Sequence, residues 1–501
     1  MTIPGLNLDK TGIAALRQRI LDGALTARAL TQHCLDRIDA RDGMVNAVLE
    51  RNPEALAIAD ELDRALAAGT PPGPLFGLPI LIKDNIDTGD RMTTTAGSLV
   101  LEGTHAAHDA PLVARLRDAG AVILGKTNLS EWANFRSAKS SSGWCSGGGQ
   151  TRNPYALDRT PGGSSSGSGV AAACGFCAAA VGTETDGSIV SPAAMNGIVG
   201  IKPTVGLVSR TGIVPVSHSQ DTAGPMARSV ADVALVLNAM AGSDPLDPAT
   251  AEADRRREED YTAFLDSDGL RGSRIGVVRA LAGFHDGVAS ILDDAVTALR
   301  DAGAEIVDPV ELLQAEEIRQ HEMPVLLAEF KQGLNAYLAR RGAGTPVPDL
   351  AAMIRANRAR GDEIMPYFPQ DLFGRPQETA GLDDPAYLQA RETCLRLTRS
   401  EGIDKVLAEN GLDAVIAPTT CAPWLIDWVN GDNRAGSSAY LAAVSGYPSI
   451  TVPAGHLFGL PVGLSFIGSA WQEPTLIRLA HAFEQATEVR VPPHYLTTAA
   501  F

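Results

Sequence analysis

The sequence predicts an α/β fold built on a large mixed β-sheet, and three observations carry that expectation. Short continuous apolar runs at 78–82, 121–124, 274–278, 412–417 and 449–452 have the length and composition of strands buried on both faces. Helix-like stretches such as 109–119 and 288–302 alternate with them, the order a layered α/β fold requires. The 501 residues are 45% hydrophobic and 20% charged, with 50 glycines and 31 prolines, which supplies ample core and many tight turns and excludes a coiled coil or a disordered chain.

The first 70 residues read as helices. Thr26 is placed to cap a segment in which Leu30, Cys34, Leu35 and Ile38 recur at helical spacing, and Asn52-Pro53-Glu54 looks like a second start before Leu56, Ala59, Leu62 and Leu66. Their apolar faces need a larger body to pack against. Segment 241–262, dominated by Asp, Ala, Arg and Glu, reads as a surface excursion, and 314–400 as a helix-rich region over one edge of the sheet on the substrate side. No fixed-period repeat divides the chain, and its length allows about three domains or one large α/β domain.

Charge narrows the partners. With 42 basic and 59 acidic residues the formal charge is −17, which repels nucleic-acid backbones and anionic membranes at long range. The longest basic run, Arg255-Arg256-Arg257, meets Glu258-Glu259-Asp260 at once and reads as a solvated face. The opening Met1-Thr2-Ile3-Pro4-Gly5-Leu6-Asn7 has neither a basic leader nor an apolar h-region, so a cytoplasmic location is expected. The apolar run 170–181 is shorter than the roughly 20 residues of a membrane span. Six cysteines are too few for a disulfide scaffold, and Cys174 and Cys177, though spaced C-x-x-C, lack a second ligand pair and read as buried small hydrophobes.

Three motifs match patterns whose context they lack. Gly120-Ala121-Val122-Ile123-Leu124-Gly125-Lys126-Thr127 fits the phosphate-loop formula, but its four intervening residues are apolar and themselves read as the strand. Gly163-Ser164-Ser165-Ser166-Gly167 fits the nucleophile elbow, yet Asn153-Pro154 and Pro161-Gly162 before it make a loop rather than a strand. His105 and His108 have no further metal-ligand partners, and the nine histidines show no triad arrangement, so a hydrolase here would use another base.

Three elements remain. In Gly77-Leu78-Pro79-Ile80-Leu81-Ile82-Lys83-Asp84-Asn85 a buried-type strand ends in a lysine. Gly162-Gly163-Ser164-Ser165-Ser166-Gly167-Ser168-Gly169 follows, and then Gly182-Thr183-Glu184-Thr185-Asp186-Gly187-Ser188-Ile189-Val190-Ser191-Pro192-Ala193. Singly, a strand-end lysine is ordinarily a snorkelling surface residue and a Gly/Ser tract a flexible linker. Together and in this order they resemble the amidase signature family of serine hydrolases, with Ser164 and Ser188 at the family's interval. The resemblance is specific over residues 75–232, including Val122-Ile123-Leu124-Gly125-Lys126-Thr127-Asn128 and Gly200-Ile201-Lys202-Pro203-Thr204, and returns more loosely at 412–418 and 446–468. It implies a single domain over residues 1–501, an α/β/α sandwich with the signature core at 75–235.

By this resemblance Ser188 is the nucleophile, Ser164 the bridging serine and Lys83 the base. A serine hydroxyl attacks only when a neighbour takes its proton, and a lysine can do so near pH 7 only when burial lowers its pKa, so Lys83 is expected to be desolvated. Ser164 can donate to one partner while accepting from another. The resemblance also implies a cis peptide before Ser164, where the flanking Gly162 and Gly163 make such a backbone feasible. An oxyanion hole is implied at the backbone amides of Thr185, Asp186, Gly187 and Ser188, each donor lowering the barrier by roughly 3 kcal/mol. Thr183 matches a position that supports the serine network through its hydroxyl.

Many members carry glycine where Asp186 stands and arginine where Val190 stands. The first change leaves backbone donation intact but adds a carboxylate near the site. The second counts against a tRNA-dependent amidotransferase. The wording Gly143-Trp144, Gly148-Gly149-Gln150-Thr151-Arg152-Asn153-Pro154-Tyr155, Thr183 to Ser188 and Ser219-Gln220-Asp221-Thr222-Ala223-Gly224-Pro225-Met226 is similar to the family's peptide amidases. A peptide C-terminal carboxamide is therefore the expected substrate, with a small aliphatic or aryl amide next, and no metal or organic cofactor is implied. The readings from other classes are a nucleotide-binding protein using residues 120–127 and one chain of a tRNA-dependent amidotransferase.

Overall fold

The computed structural model describes residues 6–312, 315–342 and 345–500. Residues 1–5 of the opening segment, and residue 314 at the head of the helix-rich region, lie outside them. The strands in chain order are β1 Val48–Arg51, β2 Pro79–Lys83, β3 Val122–Thr127, β4 Trp144–Cys145, β5 Gly149–Gln150, β6 Ala179–Glu184, β7 Val199–Lys202, β8 Thr222–Ala227, β9 Arg274–Val277, β10 Glu305–Val307, β11 Ala414–Pro418, β12 Ser449–Leu457 and β13 Leu460–Ile467. Among the described residues eleven form one mixed sheet in the order β1-β3-β2-β6-β8-β7-β12-β13-β11-β9-β10, and β4 pairs with β5. The neighbours β3, β2 and β6 are parallel, as are β11, β9 and β10, and the strands between run antiparallel. Helices cover the sheet, so this is the expected α/β architecture.

The five apolar runs are β2, β3, β9, β11 and β12. Every residue of β2, β3 and β11 is buried, as strands enclosed on both faces must be. The Thr26 hydroxyl accepts from the Ala29 amide at 3.0 Å and opens helix Ala27–Val45, and helix Ala55–Ala67 follows the Asn52-Pro53-Glu54 start. The all-helical expectation for the first 70 residues needs one correction. Four residues, Val48–Arg51, three half-buried and the last exposed, add an antiparallel edge to β3, a run too short to show a period of its own.

The Gly/Ser tract is a buried helix start rather than a linker. Helix Ser166–Ala173, made only of Ser, Gly, Val and Ala, is buried along its whole length. A Cβ on Gly167 would lie 2.3 Å from the Ala47 carbonyl oxygen and 2.5 and 2.6 Å from backbone atoms of Asn128, so the helix reaches its seat only because side chains are absent there. Farther along, helix Ala315–Arg341 shares a second apolar cluster with the 132–135 turn, where Phe373 packs against Trp132 and Phe330 at ring separations of 5.6 and 5.4 Å. That cluster seats a helical cap beside the carboxyl end of β6.

The decoy motifs resolve physically. Residues 122–127 are the strand β3, and Lys126 Nζ is buried, donating to the Ile86 carbonyl at 2.8 Å and to Thr94 Oγ1 at 3.0 Å. Cys174 and Cys177 are buried free thiols. The Arg255–Arg257 run pairs on the surface with Glu252 and Asp254. No described helix is long and apolar enough to cross a membrane.

Candidate active site

Two parallel strands set the site's geometry. Ile80, Leu81 and Ile82 of β2 register with Ala179, Ala180 and Val181 of β6, so the next residues bring Lys83 beside Thr183 at one end of the sheet. This end, beyond the carboxyl termini of parallel strands, is where α/β sheets open a crevice. Lys83 Nζ lies 2.7 Å from Ser164 Oγ, 2.9 Å from Thr183 Oγ1 and 3.3 Å from the Thr183 carbonyl. Lys83 is fully buried. Burial pushes its ammonium down to about 7, against the partial opposition of the Asp221 and Glu184 carboxylates.

The serines are joined through backbone. The Ser165 amide donates to the Ser188 carbonyl at 3.1 Å, which places the two serine segments side by side. Ser165 Oγ donates to the Thr183 carbonyl at 3.0 Å and accepts from the Thr183 amide at 3.1 Å, tying both to β6. The Gly163–Ser164 peptide is cis. A Cβ on Gly163 would stand 2.4 Å from Ser130 Oγ, so glycine permits the close approach of this turn. Ser188 lies at the edge of a cavity of about 550 Å³, and its hydroxyl has no hydrogen-bond partner among the described residues.

The turn from β6 into helix Val190–Met195 carries Thr185, Asp186, Gly187 and Ser188. Thr185 Oγ1 donates to Asp221 Oδ1 at 2.6 Å, while Asp221 Oδ2 accepts from the amides of Val216 and Ser217 at 2.8 and 2.9 Å. Glu184 Oε2 accepts from the Ile189 and Val190 amides at 2.7 and 3.0 Å, and the Gly187 amide also turns toward that carboxylate. The amides of Asp186 and Ser188 have no acceptor among the described residues, which leaves them free to meet a ligand oxygen.

Several participants carry no assignment from sequence. Asn85 donates to Thr183 Oγ1 at 2.9 Å, and Asp221 holds the Thr185 hydroxyl. Both stand inside the motifs quoted above, but spacing cannot tell a supporting polar residue from a turn former. Arg319 and Glu322 on the cap helix and Arg434 on the loop after β11 also line the cavity, with no motif to mark them. The apolar side includes Phe135, Met195, Val216 and Leu326.

A fold with an amine-to-serine contact buried beside such a cavity matches enzymes that hydrolyse amide bonds. The chain belongs to the amidase signature family, whose amidase profile matches residues 29–477. It is 52% identical to the native peptide amidase of Stenotrophomonas maltophilia, whose crystal structure superposes with a TM-score of 0.93 over 99% of this chain and 100% of that one. A probable amidase of Arabidopsis thaliana is 40% identical over 98% of this chain and 92% of its own length. A putative amidase of Schizosaccharomyces pombe is 36% identical over 98% and 87%, respectively. The protein is an amide-hydrolysing enzyme.

Proposed function

We propose that the protein hydrolyses carboxamides to a carboxylic acid and ammonia through an acyl-enzyme on Ser188, with Ser164 as the bridging hydroxyl, Lys83 as the base and the C-terminal amide of a peptide as preferred substrate. One observation carries the mechanism: a buried amine, held near neutrality, stands 2.7 Å from the Ser164 hydroxyl. A neutral Nζ accepts the Ser164 proton as Ser164 Oγ takes that of Ser188, and the freed Ser188 Oγ attacks the carbonyl carbon. Thr183 holds Nζ through its hydroxyl and carbonyl, so the lone pair is left to face Ser164.

Negative charge then develops on the former carbonyl oxygen. In this reading the amides of Thr185, Asp186, Gly187 and Ser188 receive it, which is supported by the acceptor-free Asp186 and Ser188 N–H groups, while the Gly187 donor is shared with Glu184. Collapse of the tetrahedral adduct breaks the C–N bond, and the proton returns through Ser164 to the leaving nitrogen, which departs as ammonia. Water attacks the acyl-enzyme by the same route in reverse, releasing the acid and restoring Ser188. Each step needs only protons already held on Lys83, Ser164, Ser188 and water.

Peptide preference is supported by the likeness to a peptide amidase and by a cavity roomy enough for several residues' atoms. Small aliphatic or aryl amides would use the same chemistry. The test is ammonia release by the purified chain from amidated peptides, simple amides and esters, beside Ser188→Ala. Faster turnover of amidated peptides and an inactive Ser188→Ala are expected. An unchanged rate in that variant removes the nucleophile, and better turnover of simple amides removes the peptide preference.

A further inference from the structure

One wall of the cavity carries charge that the proton relay leaves unused. Asp186, two residues before Ser188, opens into the cavity, and its carboxylate has no hydrogen-bond partner among the described residues. The residue is exposed, so its side chain meets solvent at the cavity. Glu322, buried on helix Ala315–Arg341, lines the same space and accepts from Gln220 Nε2 at 2.9 Å, and that nitrogen also reaches the Thr185 carbonyl at 3.4 Å. Arg319, one turn earlier on the helix, and Arg434 share the wall.

The charges differ between the two carboxyls. Burial and the neighbouring Asp186 push Glu322 upward, so the buried member of the pair is the one that keeps the proton. The surrounding protein and Glu184 push Asp186 up, Arg434 and Arg319 draw it back down, and Tyr440 is the remaining ionisable neighbour. The exposed Asp186 therefore carries the charge, and the wall presents one ionised acceptor beside the nucleophile. An ionised carboxylate that faces the cavity and has no protein donor among the described residues is an open acceptor, and a ligand N–H placed there makes a charge-assisted hydrogen bond.

We propose that Asp186 accepts a hydrogen bond from the α-nitrogen of the substrate residue that bears the carboxamide, so that an α N–H is what distinguishes a good substrate. The inference rests on the carboxamide chemistry assigned to Ser188. In a bound substrate the α-nitrogen is two bonds from the carbonyl carbon that Ser188 attacks, and Asp186 starts two residues from Ser188 on the same turn. A peptide N–H and the α-ammonium of a free amino-acid amide both satisfy the acceptor. An amide with carbon at that position leaves it bare, and a carboxylate product meets a like charge, which favours release.

The experiment compares an acetylated dipeptide amide with its ketomethylene isostere, in which CH₂ replaces the α N–H, by ammonia release. The wild type is expected to prefer the parent by about 10- to 100-fold in kcat/KM, the range of a hydrogen bond to a charged group. Asp186→Ala should bring the ratio near one, and Asp186→Asn to an intermediate value. If both variants keep the wild-type ratio, the inference is overturned, while their turnover of the parent leaves the Ser188 chemistry standing. If wild type releases no ammonia from the parent, it is the Ser188 reading that fails instead. Should the variants turn over too slowly to measure, calorimetric binding of both peptides to Ser188→Ala and to Ser188→Ala/Asp186→Asn decides the point: equal ratios in the two backgrounds overturn it, and loss of the preference in the second supports it.

Discussion

Replacing Lys83 with methionine should abolish turnover and make stability less dependent on pH. In the folded protein burial holds the ammonium at about 7, against 10.5 for an ordinary lysine. Between these values the unfolded chain binds a proton that the folded chain does not, so wild-type stability rises with pH across that window. The penalty is full below about 7 and gone above 10.5, and at about 1.36 kcal/mol per pH unit it amounts to roughly 5 kcal/mol. Lys83→Met removes the titrating group. Its lost contacts with Ser164 and Thr183 cost about 1–3 kcal/mol per buried acceptor left bare, but that cost does not titrate. The difference in unfolding free energy between Lys83→Met and wild type should therefore move by a few kcal/mol in favour of wild type from pH 6 to pH 10. Urea unfolding at several pH values measures it. A difference that stays flat with pH would mean that the amine is not held near neutrality in the fold, and the mechanism would lose its base. In wild type the same titration should appear as a rising limb of kcat/KM with a midpoint near 7.

Other substitutions test the wire piece by piece. Ser164→Ala should cut kcat by about 10²- to 10⁴-fold, the scale of a lost proton transfer, without changing the far-ultraviolet circular dichroism. Thr183→Val removes the hydroxyl that accepts from both Lys83 and Asn85, so kcat should fall and the midpoint of the rising limb should shift, read from the pH profile of kcat/KM. Gly167→Ala forces a methyl to 2.3 Å from the Ala47 carbonyl oxygen and should cost about 1–3 kcal/mol in urea unfolding.

The strands that the sequence announces are those buried on both faces. A continuous apolar run such as 78–82 is legible because no other local structure explains it. Strands β6, β7, β8 and β13 are not legible, because Gly182, Gly200, Gly224 and Gly463 sit in segments that also carry Thr183, Lys202, Pro225 and Pro461, whereas the single Gly276 of β9 stands among Ile275, Val277 and Val278. A Cβ on Gly224 would lie 2.0 Å from the Ile201 carbonyl oxygen. At the site, Lys83, Ser164 and Ser188 are legible only as a set through family resemblance, and their meeting depends on parallel register that no local pattern encodes. Asp186 stands out as a departure from the family's wording, but its counterparts Glu322, Arg319 and Arg434 come from segments where charged residues look like ordinary surface. The cavity enclosed by them exists only after the cap is seated.

Lys83 is separated from Ser164 by 81 positions and from Thr183 by 100. No short fragment can therefore hold the reacting groups, and catalysis appears only when the interior of the sheet has zipped. During refolding, recovered ammonia release would time the closure of the β2–β6 pair, and fraying of the outer strands β1 and β10 would go unseen by that clock.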